Sequence, residues 1–160
     1  MFLTVEEFLN GGLPVSDDIS TYEVEEAISM VEDYFVRPHL TDENFIELEA
    51  YNDQPAAEQD PNDDEYILIN GGTIDTKRYA GLKKAEKYLV FAWLGVNMNR
   101  LTRYSTVEKD SEYSKSADTD KLERQMRLNH EIGEQFLKEV MSYYNIDWDC
   151  SLPNILDTLF

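Results

Sequence analysis

The stretch RYAGLKKAEKYLVFAWLGV, residues 78–96, carries the strongest helical pattern in the chain. Leu82, Ala85, Leu89, Ala92, Trp93 and Val96 recur at helical spacing and mark one inner face. Lys83, Lys84 and Lys87 lie elsewhere on its first half. Its second half, YLVFAWLGV, is apolar nearly all round, so this helix is expected to be covered on several sides. A helix of that kind needs other helices around it, and the flanking sequence supplies them.

Upstream, Thr4 with Glu7 forms a capping box ahead of Val5, Phe8 and Leu9, and Gly11, Gly12 and Pro14 end that short helix. Ser20 with Glu23 forms a second box. Behind it Val24, Ile28, Val31 and Phe35 make one apolar stripe, while Glu23, Glu25, Glu26, Glu32 and Asp33 leave the other face acidic. Pro38 is expected to stop this helix near Val36, because the residue before a proline avoids the helical region. Thr41 is expected to cap a short helix through Phe45, Ile46 and Leu48. Residues 52–65 hold Pro55, Pro61 and six acids with few apolar residues, and read as an exposed loop. Tyr66-Ile67-Leu68-Ile69 reads as a strand and Asn70-Gly71-Gly72 as its turn, with a return through Thr73 and Ile74.

Downstream, residues 97–116 are polar and lack a helical period, which predicts an extended or β-like arm. A long helix follows over 117–144, with Leu128, Ile132, Phe136, Val140 and Tyr143 as its apolar stripe. The tail 147–160 carries Trp148, Leu152, Ile155, Leu156, Leu159 and Phe160. The expected architecture is mainly α, a single domain over 1–160. It is a bundle of about four helices with an acidic loop and small β-hairpin inserted at 51–76, an extended arm at 97–116 and an apolar C-terminal tail at 147–160.

The charge laid over this pattern is lopsided. The chain has 14 Lys and Arg against 33 Asp and Glu, a formal net charge of −19. Residues 38–76 contain no Lys or Arg, yet hold Asp42, Glu43, Glu47, Glu49, Asp53, Glu58, Asp60, Asp63, Asp64, Glu65 and Asp75. Such a surface repels phosphates, since DNA binding depends on cations that displace counterions, so specific nucleic-acid binding is not expected. With 42% hydrophobic residues, including 10 Tyr, 7 Phe and 2 Trp, the acidity sits on a folded body rather than a disordered one. Self-repulsion at this charge is costly unless a partner, counterions or a neighbouring copy offsets it. One cysteine, Cys150, allows no intrachain disulfide and no cysteine-based metal site. The N-terminal MFLTVEEFLNGG lacks the pattern of a signal peptide, and the longest apolar run, 88–96, falls well short of the ~20 residues of a membrane helix. A soluble, intracellular protein in a reducing compartment is expected.

No catalytic constellation converges. The two histidines, His39 in an inter-helix turn and His130 beside Glu131, read as surface residues, and neither has the HExxH spacing of a helical zinc site. Asp60, Asn62, Asp64 and Glu65 only faintly evoke a calcium loop, because Glu65 stands where the turn glycine belongs and Gly71 where the bidentate acid belongs. Gly71-Gly72 lacks a phosphate-loop lysine. No cofactor, metal or catalytic residue is expected, and the chain reads as a non-enzyme.

Two features point to contacts. Lys77, Arg78, Lys83, Lys84 and Lys87 form the main basic concentration; they suit either solvent or the acidic loop of another copy. The apolar tail residues must be covered, by the domain itself or by a neighbour, with the neighbour favoured because Pro153 and Asn154 detach a short segment. Lys83, Lys84, Lys87, Trp148, Leu152, Ile155, Leu156, Leu159 and Phe160 are therefore the candidate subunit-interface residues.

Leu3-Thr4-Val5-Glu6-Glu7, Glu25-Glu26-Ala27-Ile28 and Asp33-Tyr34-Phe35-Val36-Arg37-Pro38, followed by the helix at 82–96 and the segment 106–114 before a long helix, together resemble the layout of tailed-phage head–tail connector proteins. The closest likeness is to the neck-ring adaptors of podovirus-like phages, and it spans most of the chain except 52–75. This resemblance implies a structural virion protein, made in the host cytoplasm, that forms a ring, typically a dodecamer, between the portal and the next neck or tail protein and extends the DNA channel. It also implies that the arm, with Tyr104, Val107 and Tyr113, contacts neighbouring proteins. An acidic inhibitor or DNA mimic that blocks a nucleic-acid-binding partner is the alternative, with its acids in a Pro-containing loop arguing against rigid mimicry.

Overall fold

The computed structural model describes residues 1–13, 15, 19–97 and 112–152, with the backbone alone for 96, 97 and 112–122. Helices dominate. They are α1 (Val5–Leu9), α2 (Thr21–Val31), a π-helical turn (Glu32–Val36), α3 (Arg37–Leu40), α4 (Asp42–Asn52), α5 (Asp64–Asn70), α6 (Leu82–Asn97) and α7 (Glu112–Tyr143). Two short antiparallel strands, β1 (Gly72–Ile74) and β2 (Lys77–Tyr79), stand between α5 and α6. The expected helical bundle with an inserted hairpin is the observed architecture. Its long members are the run from α2 to α3, then α4, α6 and α7.

The central element is α6, which packs on α2, α5 and α7. Leu82, Ala85, Leu89, Val90, Phe91, Ala92 and Leu94 are all buried, as a helix apolar on several sides requires. Its closest neighbour is α7. A Cβ built on Gly133 would lie 2.7 Å from Leu89 Cγ and 3.1 Å from the Ala85 carbonyl oxygen, so the bare glycine sets how near the two helices come. The inner stripe of α7 is Met126, Asn129, His130, Gly133, Leu137, Val140 and Met141. Of the stripe read from the sequence, only Val140 is fully buried. Leu128 is 49% exposed, and Ile132, Phe136 and Tyr143 sit half-buried at its edge. The expected stripe is rotated because the buried face is built around a glycine and two polar residues, which a search for apolar periodicity passes over.

Both capping boxes form. Thr4 and Ser20 each accept from the backbone N–H three residues on, and Glu7 and Glu23 each accept from the cap N–H in return. Each such cap is worth about 1 kcal/mol. The stripe Val24, Ile28, Val31, Phe35 is buried as expected.

Five expectations fail. The helix does not stop near Val36. At the π turn the Arg37 N–H bonds to the Glu32 carbonyl five residues back, and a fresh helical turn starts there. Pro38 then sits in a first turn, where its missing N–H costs little. Thr41 does not cap α4 with its side chain; it adopts φ 68° and receives a hydrogen bond from Asn44 Nδ2 at 3.1 Å. Tyr66–Ile69 is not a strand. It lies in α5, where Ile67, Leu68 and Ile69 are all buried, so tertiary burial overrides the β-branched preference. The hairpin consequently falls later: Gly72 pairs Tyr79, Thr73 pairs Arg78 and Ile74 pairs Lys77, with the turn at Asp75-Thr76. Finally, α6 begins at Leu82 rather than 78, because β2 and a tight turn at Gly81 (φ +90°) precede it. The last helix begins at Glu112, so residues 112–116 of the expected arm are helical. The remainder of that arm, 98–111, and Pro14 lie outside the described residues.

Candidate functional site

Three of the candidate interface residues meet at one place. Lys83, Lys84 and Lys87 line a small cleft of about 270 Å3 with Tyr88 and Asn70. It adjoins a larger open cleft of about 840 Å3 beside the hairpin, lined by Arg78, Lys84, Gly71, Tyr79, Phe136 and Glu139. The two share Asn70, Ala80 and Lys84. This cationic cleft on an acidic body is the strongest candidate site.

Most of its cations are engaged within the chain. Lys83 Nζ pairs with Glu7 Oε1 at 2.9 Å. Partial burial pushes the Glu7 carboxyl up, but hydrogen bonds from Lys83 and Thr4 outweigh it and hold the carboxyl below its usual value. Lys87 Nζ donates to the Gly11 carbonyl, and burial with neighbouring Lys84 lowers its pKa. Lys84 Nζ stands 5.0 Å from the Phe136 ring centroid, a cation–π contact. Lys77 donates to Ser142 Oγ and lies over the Tyr79 ring. The Arg78 side chain, in contrast, is exposed and engages no hydrogen bond or ion pair among the described residues. Glu139 Oε2 accepts from the Ala80 N–H at 2.9 Å and ties the hairpin to α7. The cleft offers an anionic partner chiefly Arg78 and Lys84.

The acidic loop, 53–63, is more tightly held than its composition suggests. Tyr51 donates to Asp63 Oδ2 at 2.9 Å and accepts from the Asp60 N–H at 3.1 Å. Gln59 Nε2 donates to the carbonyls of Asn52 and Gln54 at 3.1 and 2.8 Å. Just beyond the loop, Tyr143 donates to Asp64 Oδ2 at 2.8 Å, a bond that with partial burial raises the phenol to about 12.

Two buried polar clusters escaped the sequence reading. At the first, the N–H groups of Phe2 and Leu3 donate to Glu32 Oε1 at 2.6 Å and Glu86 Oε2 at 3.1 Å. The Met1 amino group adds ion pairs to Glu49 at 3.2 Å and Glu32 at 3.6 Å. Glu86 is completely buried, and burial followed by the nearby Glu32 charge drives its pKa well above the usual value. Its Oε1 has no hydrogen-bond partner among the described residues. Glu86 was findable, since it stands four after Leu82 and three before Leu89 on the inner face.

The second cluster corrects the reading of both histidines as surface residues: His39 and His130 are 2% and 1% exposed. His39 Nδ1 donates to the Phe35 carbonyl at 2.6 Å, and its ring stacks on Trp148 with centroids 4.1 Å apart. His130 meets the edge of Phe35 and lies 3.5 Å from Glu134. Burial, then Lys138 and His39, lowers its pKa to about 4. His39 is buried because the helix runs on through Pro38 to carry it inward.

Trp148, a candidate interface residue, is half-buried and packs on the domain between His39 and Lys138 Nζ, the latter 4.1 Å from its ring. Leu152 is half-buried. Ile155, Leu156, Leu159 and Phe160, with Tyr104 and Val107, lie outside the described residues, and Tyr113 lies in the backbone of α7. Among the described residues no group of three His, Cys, Asp or Glu side chains is arranged to hold a metal, and no helix is long and apolar enough to cross a membrane. Comparison with protein-family models, curated proteins and solved structures gave no match to this chain.

Proposed function

We propose that this chain is the subunit of a ring in the neck of a tailed phage, joining the portal to the next neck or tail component and lining part of the DNA channel. The observation that carries the reading is the direction of its charges. Lys77, Lys83, Lys84 and Lys87 turn onto the chain's own atoms, while Glu25 and Glu26 of α2, Glu43 and Glu47 of α4, and Asp53 and Glu58 of the loop face solvent. A body of this kind gives a passing duplex no counterion-release gain, so DNA slides by without adhering. The segments that resemble neck-ring adaptors are also structural anchors: Thr4–Glu7 forms the first capping box, and Phe35 and Val36 are buried at the π turn. In a ring, one surface meets a different surface next door. The cleft of Arg78 and Lys84 facing a neighbour's acidic loop is such a pair.

The test is whether the protein is present in purified particles, by mass spectrometry, and whether particles made without it retain DNA-filled heads that fail to join tails. Its absence from particles, or tight DNA binding at ordinary ionic strength, overturns the reading. The bonds from Tyr51 and Gln59 favour a second reading, an acidic DNA mimic, because they give the loop the firmness such mimicry needs. Competition with DNA for a basic partner protein tests it.

A further inference from the structure

A groove of about 630 Å3 runs between α1 and one face of α2, from Tyr22 to Met30. Val5, Tyr22 and Met30 contribute its apolar lining, and Glu6, Glu25 and Glu26 its charge. Tyr22 is 70% exposed, a large ring left in water. No hydrogen bond or ion pair among the described residues engages the three carboxylates. An apolar patch rimmed by charge of one sign marks an interaction site. What complements it is an apolar segment flanked by cations.

The chain contains such a segment, Arg100-Leu101-Thr102-Arg103-Tyr104, within a stretch that has no acid between Glu86 and Glu108. Unlike the lysine row it carries no acid of its own to offset it. It belongs to the connection 98–111 between α6 and α7, two helices packed on each other. Helix–helix connections of this type take about 2–8 residues, so this one is longer than closing the turn requires.

Building on the ring reading, we infer that residues 100–104 of one copy dock in the α1–α2 groove of the next. The cations of Arg100 and Arg103 complement the carboxylates of Glu6, Glu25 and Glu26, and the apolar Leu101 and Tyr104 suit the lining of Val5, Tyr22 and Met30. The contact joins unlike surfaces and so propagates around a ring. It also places cations where copies of a chain with net charge −19 approach each other.

The test uses a fluorescent peptide of residues 97–107 and, as receptor, the full chain carrying Arg100→Glu and Arg103→Glu, which leaves the groove open. Saturable binding is expected. It should weaken about tenfold or more when Glu25→Lys and Glu26→Lys are added, and little when the same charge change is made at Glu43 and Glu58. Circular dichroism checks that each variant keeps its helices. No saturable binding, or equal loss from both charge reversals, overturns the inference. Specific binding by a chain whose wild type stays monomeric at every concentration also overturns it, since the segment then occupies its own groove. Presence in particles without peptide binding keeps the ring reading and removes only this contact; binding without presence in particles removes the ring reading and leaves the contact.

Discussion

The carboxyl cluster of Glu32 and Glu86 and the histidine cluster of His39 and His130 lie in one core and meet the cost of burial in opposite ways. Burial disfavours the charged form of any group. It therefore favours the protonated form of Glu86, raising its pKa well above the ordinary 4.5, and favours the neutral form of His130, lowering its pKa to about 4. The carboxyl side tolerates acid and is burdened by alkali. The histidine side tolerates alkali and is burdened by acid. The difference teaches that ionisable residues on inner faces here anchor chain segments: hydrogen bonds to Glu32 and Glu86 hold the N–H groups of Phe2 and Leu3 at one cluster, and the His39 ring stacks on Trp148 at the other.

The largest expected effect breaks both clusters together. Gly133 stands on α7 one turn from His130 and packs on Leu89 and Ala85, which flank Glu86 on α6. Gly133→Val should push the two helices apart and cost about 3 kcal/mol, read from denaturant midpoints at pH 7. A loss under about 1 kcal/mol would show that the helices are not held so close.

Next in size is the acid limb of the histidine side. His130 titrates near 6.5 when unfolded and near 4 when folded, so its neutral form stabilises the fold fully above pH 6.5. That contribution is lost as pH falls from 6.5 toward 4, by roughly 3 kcal/mol. His39, lowered mainly by burial, acts in the same direction. Urea titrations of wild type and His130→Gln at pH 7 and pH 4.5 check this, with the variant expected to lose much less on acidification. Parallel losses in the two proteins would remove His130 as the cause.

The smallest effect sharpens the carboxyl side. Glu86 has a raised folded pKa, so its stability contribution is complete below about 4.5 and declines as pH rises toward the folded value. Glu86→Gln keeps an acceptor for the Leu3 N–H and cannot ionise. It should match wild type at pH 5 and exceed it by about 1 kcal/mol at pH 8. A variant weaker than wild type at both pH values would mean that the ionised carboxylate is what the site requires.

The legible parts of this fold were those set by neighbours in sequence. Thr4 with Glu7 and Ser20 with Glu23 cap helices because the bonds close within one turn. The stripe from Val24 to Phe35 and the all-round apolar half of α6 announced which faces are buried. The misread parts were those where distant contacts outweighed local preference. Tyr66–Ile69 has the residues of a strand and is helical because the core takes Ile67, Leu68 and Ile69 at once. Pro38 reads as a stop, and a π turn absorbs it. Of the candidate interface, the gathering of lysines was visible, whereas their pairing with Glu7, Gly11 and Phe136 was not.

Composition and periodicity were enough to establish a mainly helical, strongly acidic body with α6 at its centre, since burial pattern and net charge are properties of the linear chain. Folding alone chose the partners. It spent the lysines on the chain's own oxygens and rings, drew Trp148 back against His39, and left Arg78 and the Tyr22 groove facing outward. Those outcomes rest on contacts between residues dozens of positions apart, whose energies no window of neighbouring residues contains.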